Sequence, residues 1–147
     1  LADDVVVRQI ESDSQNLEKL VNQDVVGFAY PGGGIGGVNT NEHIIDLIKE
    51  NTNIKYARTT ICNHCFDVQK NLLEFHPTVY HLDFDEMMKL GEEFIKLDTE
   101  EKKIFYIWGH SYELDYHESW EEIEKFCEMM SGHDDICYAT NREALLS

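Results

Sequence analysis

At 147 residues the chain has the length of one domain, taken as 1–147, and no apolar run approaches the roughly 18 residues that cross a bilayer. Its 12 basic and 29 acidic residues give a formal net charge of −17, which repels nucleic-acid backbones and anionic membrane surfaces and argues against either as a partner. A neutral carbohydrate escapes that repulsion, and a divalent cation is attracted by it.

Hydrophobic periodicity predicts helices and strands that alternate along the chain, with caps, glycines and prolines at their ends. In chain order we expect a helix over 2–21, a strand over 25–30, a helix from Thr40, strands over 54–60 and 78–82, a helix from Asp83 or Asp85 to about Leu97, a strand over 104–108, a helix over 119–130, a strand over 136–140 and a terminal helical stub. This alternation, with short connections, predicts an α/β fold with parallel strands.

Polar or glycine-rich residues follow four of the predicted strands. They are Tyr30-Pro31-Gly32, Arg58-Thr59-Thr60, His81 and His110. Ligands of parallel sheets bind at the carboxyl ends of the strands, so the sequence predicts a site at this edge. His110 is the leading candidate, because Glu113 or Asp115 could orient its ring. A single histidine such as His81 is more often structural.

A glycine pattern lies just after the first predicted strand. Gly32, Gly34 and Gly37 satisfy the G-x-G-x-x-G pattern of dinucleotide-binding turns. That pattern requires an acidic residue about 20 positions later for the ribose hydroxyls, where this chain has Arg58-Thr59-Thr60. Because Arg58 would suit a 2′-phosphate instead, a dinucleotide-binding module stays open as an alternative.

The four cysteines are too few for a disulfide scaffold, and each lies in or beside an apolar stretch. We therefore expect reduced, partly buried thiols, which favour a cytoplasmic location. Cys62-Asn63-His64-Cys65 has the C-x2-C spacing of a zinc knuckle, but a closed zinc site needs four ligands and the chain has no second pair of this kind. No metal site is predicted in this chain.

Five segments together carry a resemblance to a known family. Val-Gly-Phe-Ala-Tyr-Pro-Gly-Gly at 26–33 resembles the third motif region of the polysaccharide deacetylase family, also called the NodB-homology domain. The segments that resemble later landmarks of one bacterial branch are Lys-Tyr-Ala-Arg-Thr-Thr at 55–60, His76-Pro77-Thr78 with His81, Tyr-Ile-Trp-Gly-His-Ser-Tyr-Glu at 106–113 and Cys-Tyr-Ala-Thr-Asn at 137–141. The resemblance spans nearly the whole chain, and the combination of segments is specific.

The resemblance implies a fold, an activity and a set of site residues. The fold is part of a distorted (β/α) barrel, in which a divalent metal, zinc or similar, polarises an N-acetyl carbonyl of a polysaccharide or oligosaccharide and activates water to hydrolyse the amide. His110 matches the general acid that protonates the leaving amine, and the backbone N–H of Gly32 matches a donor to the oxyanion. The other residues expected to bind the N-acetylated carbohydrate are Tyr30, Pro31, Arg58, His81 and Trp108.

The sequence also departs from the family pattern. The family's Asp-Asp pair and H-x3-H pair, which supply the base and the metal ligands, are expected upstream of residue 1, because Asp3-Asp4 opens a predicted helix and cannot replace the first pair. Val25 and Val26 stand where the family has Arg, and Gly32 stands where it has Tyr. We therefore expect a carboxyl-terminal portion that is inactive alone, binds no metal by itself and self-associates through an exposed barrel edge. A non-catalytic carbohydrate-binding remnant is the alternative.

Overall fold

The structure of the protein, a computed structural model, describes residues 2–32 and 41–147. Of these residues 49% are helical and 9% lie in strands, which form short parallel sheets. The prediction of a mixed chain with parallel strands is confirmed at this level, and no barrel is seen in the described part of the chain. Gly34, Gly37 and Thr40, which carried the dinucleotide pattern and one predicted helix start, lie outside the described residues.

Every predicted helix is found, and one helix and a 3-10 turn were not predicted. The elements of the described residues are α1 (Asp3–Val21), β1 (Gly27–Ala29), α2 (Glu42–Asn51), β2 (Tyr56–Arg58), a 3-10 turn (Leu72–Glu74), β3 (Val79–Tyr80), α3 (Phe84–Ile95), β4 (Ile107–Trp108), α4 (Ser111–Tyr116), α5 (Trp120–Met130) and α6 (Asn141–Leu146). None of these helices is long and apolar enough to span a membrane.

The chain divides into two compact units, each with one parallel pair of strands. Unit 1 contains the described residues of 1–59 together with 69–75 and 140–147, and unit 2 contains 60–68 and 76–139. That residues 1–147 form one partial domain stays a prediction.

In unit 1, β1 runs parallel to β2 with Gly27 opposite Tyr56. A methyl group at this position would overlap the Tyr56 ring, which would have to shift. Asn41 caps α2 by accepting the Ile44 N–H at 3.0 Å, one residue later than the predicted start. The buried core of unit 1 is formed by Ile10, Tyr30, Ile45, Ile48, Ile54, Ala57 and Leu73.

The long first helix contributes little to that core. Ile10 is the buried residue of its 19, and Leu17, Leu20 and Val21 near its end are exposed. Its first turn contains Asp3 and Asp4, as predicted. Self-association stays a prediction, for which the end of α1 offers apolar surface.

In unit 2, β3 runs parallel to β4 with Val79 opposite Ile107 and Tyr80 opposite Trp108. The buried core of this unit is formed by Val79, Met87, Leu90 and Phe126. Met129 and Met130 of α5 are partly buried and pack against it. Flexible methionines fill the irregular gaps that such a small core leaves.

The four strands that are found are all shorter than predicted, and the fifth strand prediction is wrong. Of the strand predicted over 104–108, Ile107–Trp108 is a strand, while the preceding Lys103 forms an antiparallel bridge to Asp67. The segment 136–140 is not a strand, and among the described residues no strand pairs with it. Apolar alternation alone is insufficient, because an extended segment without a neighbour leaves its backbone groups unpaired.

Candidate functional site

The register of β3 and β4 brings two distant histidines together in unit 2. Beyond the paired Tyr80 and Trp108, the His81 N–H donates to the Trp108 carbonyl at 2.9 Å, so the ladder continues by one residue. His81 then lies beside Gly109, where a methyl group would overlap its imidazole ring. β4 ends at this point, and His110 immediately precedes α4.

One carboxylate oxygen joins these histidines. Oε2 of Glu113 accepts the Nε2–H of His81 at 2.8 Å and the Nδ1–H of His110 at 3.1 Å. It also accepts the backbone N–H of His110 at 3.0 Å. The hydroxyl of Tyr80 donates to Glu113 as well. We refer to His81, Glu113 and His110 as the histidine cluster.

Glu113 reaches this position because α4 begins directly after His110. The third residue of a helix can turn its carboxylate back to the unpaired backbone N–H groups of the first turn. The His110 carbonyl in turn accepts the Glu113 N–H at 3.0 Å, which closes that turn. The sequence left Glu113 and Asp115 open as partners of His110, and the structure selects Glu113.

Exposure increases across the histidine cluster. The His81 side chain is 7% exposed, the Glu113 side chain 20% and the His110 side chain 48%. His81 is therefore an interior support of the carboxylate, while His110 presents its ring to solvent. This arrangement suits a residue that is held from within and works on a ligand outside.

The contacts fix the charge of Glu113. Its burial would raise the pKa, but hydrogen bonds from His81, Tyr80 and the backbone and ring of His110 outweigh burial and lower the pKa from 4.5 to about 2. Burial, together with the hydrogen bond to Glu113, raises the pKa of Tyr80 to about 12. Because the folded pKa of Glu113 lies below its ordinary value, these contacts contribute stability above about pH 4.5, which is lost as the pH falls toward 2.

The hydrogen bonds also assign the protons of the two rings. An ionised carboxylate only accepts, so Nε2 of His81 and Nδ1 of His110 each carry a hydrogen. The second nitrogen of His110, Nε2, lies on the opposite edge of its half-exposed ring. A histidine oriented in this way by a carboxylate can donate or accept a proton at that nitrogen.

Two ring nitrogens of the histidine cluster are not available to a metal. The ring nitrogens that face Glu113 are hydrogen donors and therefore have no lone pair for a cation. Over residues 2–32 and 41–147, no three or more His, Cys, Asp or Glu side chains are arranged to hold a metal ion. No chemical step through a metal is derived from these residues, and the absence of a metal from this chain stays a prediction.

Trp108 and Cys62 border the histidine cluster. The Trp108 indole N–H donates to Cys62 Sγ at 3.3 Å, and its ring centroid lies 4.7 Å from that of Tyr80 and 6.2 Å from that of His110. Burial raises the pKa of the Cys62 thiol.

All four cysteines are free of disulfide bonds. The prediction of partial burial is confirmed for Cys62 alone and is wrong for the exposed Cys65, Cys127 and Cys137.

The other predicted site residues lie in unit 1. Tyr30 is buried, its hydroxyl donates to the Leu73 carbonyl at 2.8 Å, and burial with nearby Glu74 raises its pKa to about 12. Arg58 donates from Nη1 to the Thr59 carbonyl at 3.3 Å. Their roles in carbohydrate binding stay predictions.

Pro31 and Gly32, which follow Tyr30, are exposed. Gly32 has a φ of 64°, a left-handed conformation that glycine adopts without strain. A side chain at this position would be strained. The oxyanion role of its backbone N–H stays a prediction.

Sequence reasoning missed Tyr80 and Gly109 as parts of the site. Tyr80 gave no signal, because its approach to Glu113 follows from tertiary packing. Gly109 could have been suspected from its place between a strand and a histidine, since glycine in such places often permits a close approach.

Comparison of the chain with protein-family models, with curated proteins and with solved structures finds no match. A functional assignment therefore depends on the geometry of the histidine cluster and on the motif resemblance.

Proposed function

We propose that the chain is the carboxyl-terminal portion of a metal-dependent carbohydrate N-deacetylase of the polysaccharide deacetylase family, with the distorted (β/α) barrel of that family. The observation that carries the proposal is the hydrogen bond from His110 Nδ1 to the Glu113 carboxylate at 3.1 Å, directly after β4. The substrate is an N-acetylated oligosaccharide or polysaccharide, and the products are acetate and a sugar with a free amine.

His110 is the general acid of the proposed reaction. After water has added to the amide carbonyl, His110 gives the proton on its Nε2 to the sugar nitrogen as the carbon–nitrogen bond breaks. The 48% exposure of its side chain gives a polymeric substrate access to that nitrogen. The oxyanion role of the Gly32 backbone N–H stays a prediction from the resemblance.

Glu113 and His81 are positioning residues in this proposal. The Glu113 carboxylate is ionised above about pH 2, so it accepts the hydrogen on His110 Nδ1 and fixes the orientation of the ring. His81 donates to the same oxygen at 2.8 Å from the interior and holds the carboxylate in place. Direct contact of His81 with the carbohydrate stays a prediction from the resemblance.

The base and the metal of the proposed reaction come from the family motifs expected upstream of this chain. A divalent cation would polarise the amide carbonyl. Trp108, beside Tyr80 and His110, is proposed to contact the carbohydrate.

Acetate release tests the proposal. A protein that contains this chain and the predicted upstream motifs is incubated with N-acetylglucosamine oligomers and a divalent metal, and acetate is measured. His110→Ala should lower kcat by about 100-fold or more, because proton transfer to the leaving amine is lost. His117→Ala removes an exposed histidine at the end of α4 and should leave the rate unchanged.

Two results would contradict the proposal. One is an unchanged rate of acetate release in His110→Ala, and the other is no acetate release by the wild-type protein with any divalent metal supplied. Saturable oligosaccharide binding without turnover would favour the carbohydrate-binding alternative, and a thermal shift with NADP would favour the dinucleotide alternative.

A further inference from the structure

Three exposed aromatic side chains lie in α4 and at the start of α5, and one of them is hydrogen-bonded to Asp115. Tyr112 and Tyr116 are four residues apart on α4 and share a helix face, and Asp115 lies three residues after Tyr112. Trp120, the first residue of α5, joins that face because its indole N–H donates to Asp115 Oδ1 at 2.6 Å. Tyr112, Tyr116 and Trp120 are 65%, 84% and 51% exposed. We refer to these three residues and Asp115 as the aromatic patch.

The aromatic patch is continuous with the proposed general acid. The Tyr112 ring stacks on the His110 ring, with centroids 5.3 Å apart and planes inclined by 28°. A polysaccharide that places one unit at His110 therefore meets Tyr112 with a neighbouring unit. Contiguous exposed aromatic side chains mark a binding site more often than a single exposed aromatic side chain does.

The charge of this region selects the kind of ligand. No Lys or Arg occurs between Lys103 and Lys125, whereas Asp115, Glu118 and Glu121 are exposed acidic residues in that interval. A carboxylate that accepts one hydrogen bond, as Asp115 does from Trp120, still has further lone pairs. Aromatic faces and carboxylates both attract a protonated amine, while an anionic ligand is repelled.

We propose that the aromatic patch is a subsite for an amino sugar that carries a protonated amine. The proposal rests on the proposed function, in which deacetylated units of this kind are the product. The apolar face of the sugar ring lies against Tyr116 and Trp120, and the ammonium group approaches Asp115. Substrate chains that are already partly deacetylated are then bound more tightly than fully acetylated ones.

The indole signal of Trp120 provides the test. Glucosamine hexamer and N-acetylglucosamine hexamer are titrated separately into ¹⁵N-labelled protein, and the ¹H–¹⁵N indole cross-peak of Trp120 is followed after assignment with Trp120→Phe. The glucosamine oligomer should shift this cross-peak saturably, and its affinity should fall as salt is added. The N-acetylated oligomer should bind about 10-fold more weakly, because it lacks the charge.

Two matched variants separate the ring of Tyr116 from its hydroxyl. Tyr116→Ala should weaken binding of the glucosamine oligomer about 10-fold, whereas Tyr116→Phe should retain it because the aromatic face remains. Tyr116 is 84% exposed, so neither change disturbs the buried core. Equal affinity in Tyr116→Ala, equal or tighter binding of the N-acetylated oligomer, or no shift with either oligomer would overturn the subsite.

Different results would overturn the subsite and the proposed function. If glucosamine oligomers bind at Trp120 and acetate is never released, the subsite stands and the deacetylase proposal falls. If His110-dependent acetate release occurs and Trp120 does not respond, the deacetylase proposal stands and the subsite is overturned.

Discussion

Each unit carries a parallel pair of strands, and the residues at the carboxyl ends of those strands have different partners in the two units. In unit 1, Tyr30 donates to the carbonyl of Leu73, which leaves its hydroxyl engaged with the backbone. In unit 2, His81 and His110 donate to a carboxylate, and the outer ring of His110 is half exposed. A hydroxyl bonded to a buried carbonyl stabilises the fold, whereas linked titratable side chains can exchange protons with a ligand. For a residue at the end of a strand, the hydrogen-bond partner therefore indicates the function better than the amino-acid type does.

Of the substitutions that test this difference between the two units, Gly109→Ala should have the largest effect on stability and on acetate release. The added methyl group overlaps the His81 ring, so either the ring or the backbone of β4 must move and the contact with Glu113 is lost. We expect a loss of about 1–3 kcal/mol in the free energy of unfolding and a drop in acetate release as large as that of His110→Ala. Urea denaturation and acetate assays measure the two effects.

Gly132→Ala is the matched control for that substitution. Nothing lies within 4 Å of the added methyl group, and the left-handed φ of 77° costs about 1–2 kcal/mol without touching the histidine cluster. Its acetate release should equal that of the wild type. Wild-type activity in Gly109→Ala would instead show that the His81 contact is dispensable.

Tyr30→Phe should lower stability by a similar amount but leave acetate release unchanged. Removing the hydroxyl leaves the Leu73 carbonyl without this donor in the core of unit 1, which costs about 1–3 kcal/mol in the free energy of unfolding. The exposed Tyr116→Phe should change stability by less than about 0.5 kcal/mol. A raised KM for the N-acetylated oligomer in Tyr30→Phe, with stability unchanged, would show that Tyr30 binds substrate and would remove the contrast between the units.

The local pattern of the sequence was sufficient to predict five of the helices and to place His110 just after a strand. Apolar spacing and caps predicted α2, α3 and α5, because these signals lie within one element. The choice between Glu113 and Asp115 depended on α4, a helix that the polar segment after β4 did not reveal. Once residues 111–116 are helical, Glu113 turns back to His110 and Asp115 turns to Trp120.

The partnership of His81 with Glu113 could not be predicted from sequence. It depends on the register of β3 against β4, and a shift of one residue would move His81 to the opposite face of the ladder. The strand predicted over 136–140 failed for a related reason, because strand formation requires a neighbour that the local sequence does not specify. Both outcomes were decided by contacts between segments far apart in the chain.

The most direct test of the account is the titration of the Glu113 side-chain carboxyl, followed by its ¹³C signal in the wild type and in His81→Ala. The shared hydrogen bonds predict a midpoint at about 2, with no titration step near 4.5. In His81→Ala the midpoint should rise toward 4.5, because the strongest of the donors that lower it is removed. A wild-type midpoint near 4.5, unchanged in His81→Ala, would contradict the histidine cluster on which the proposed function depends.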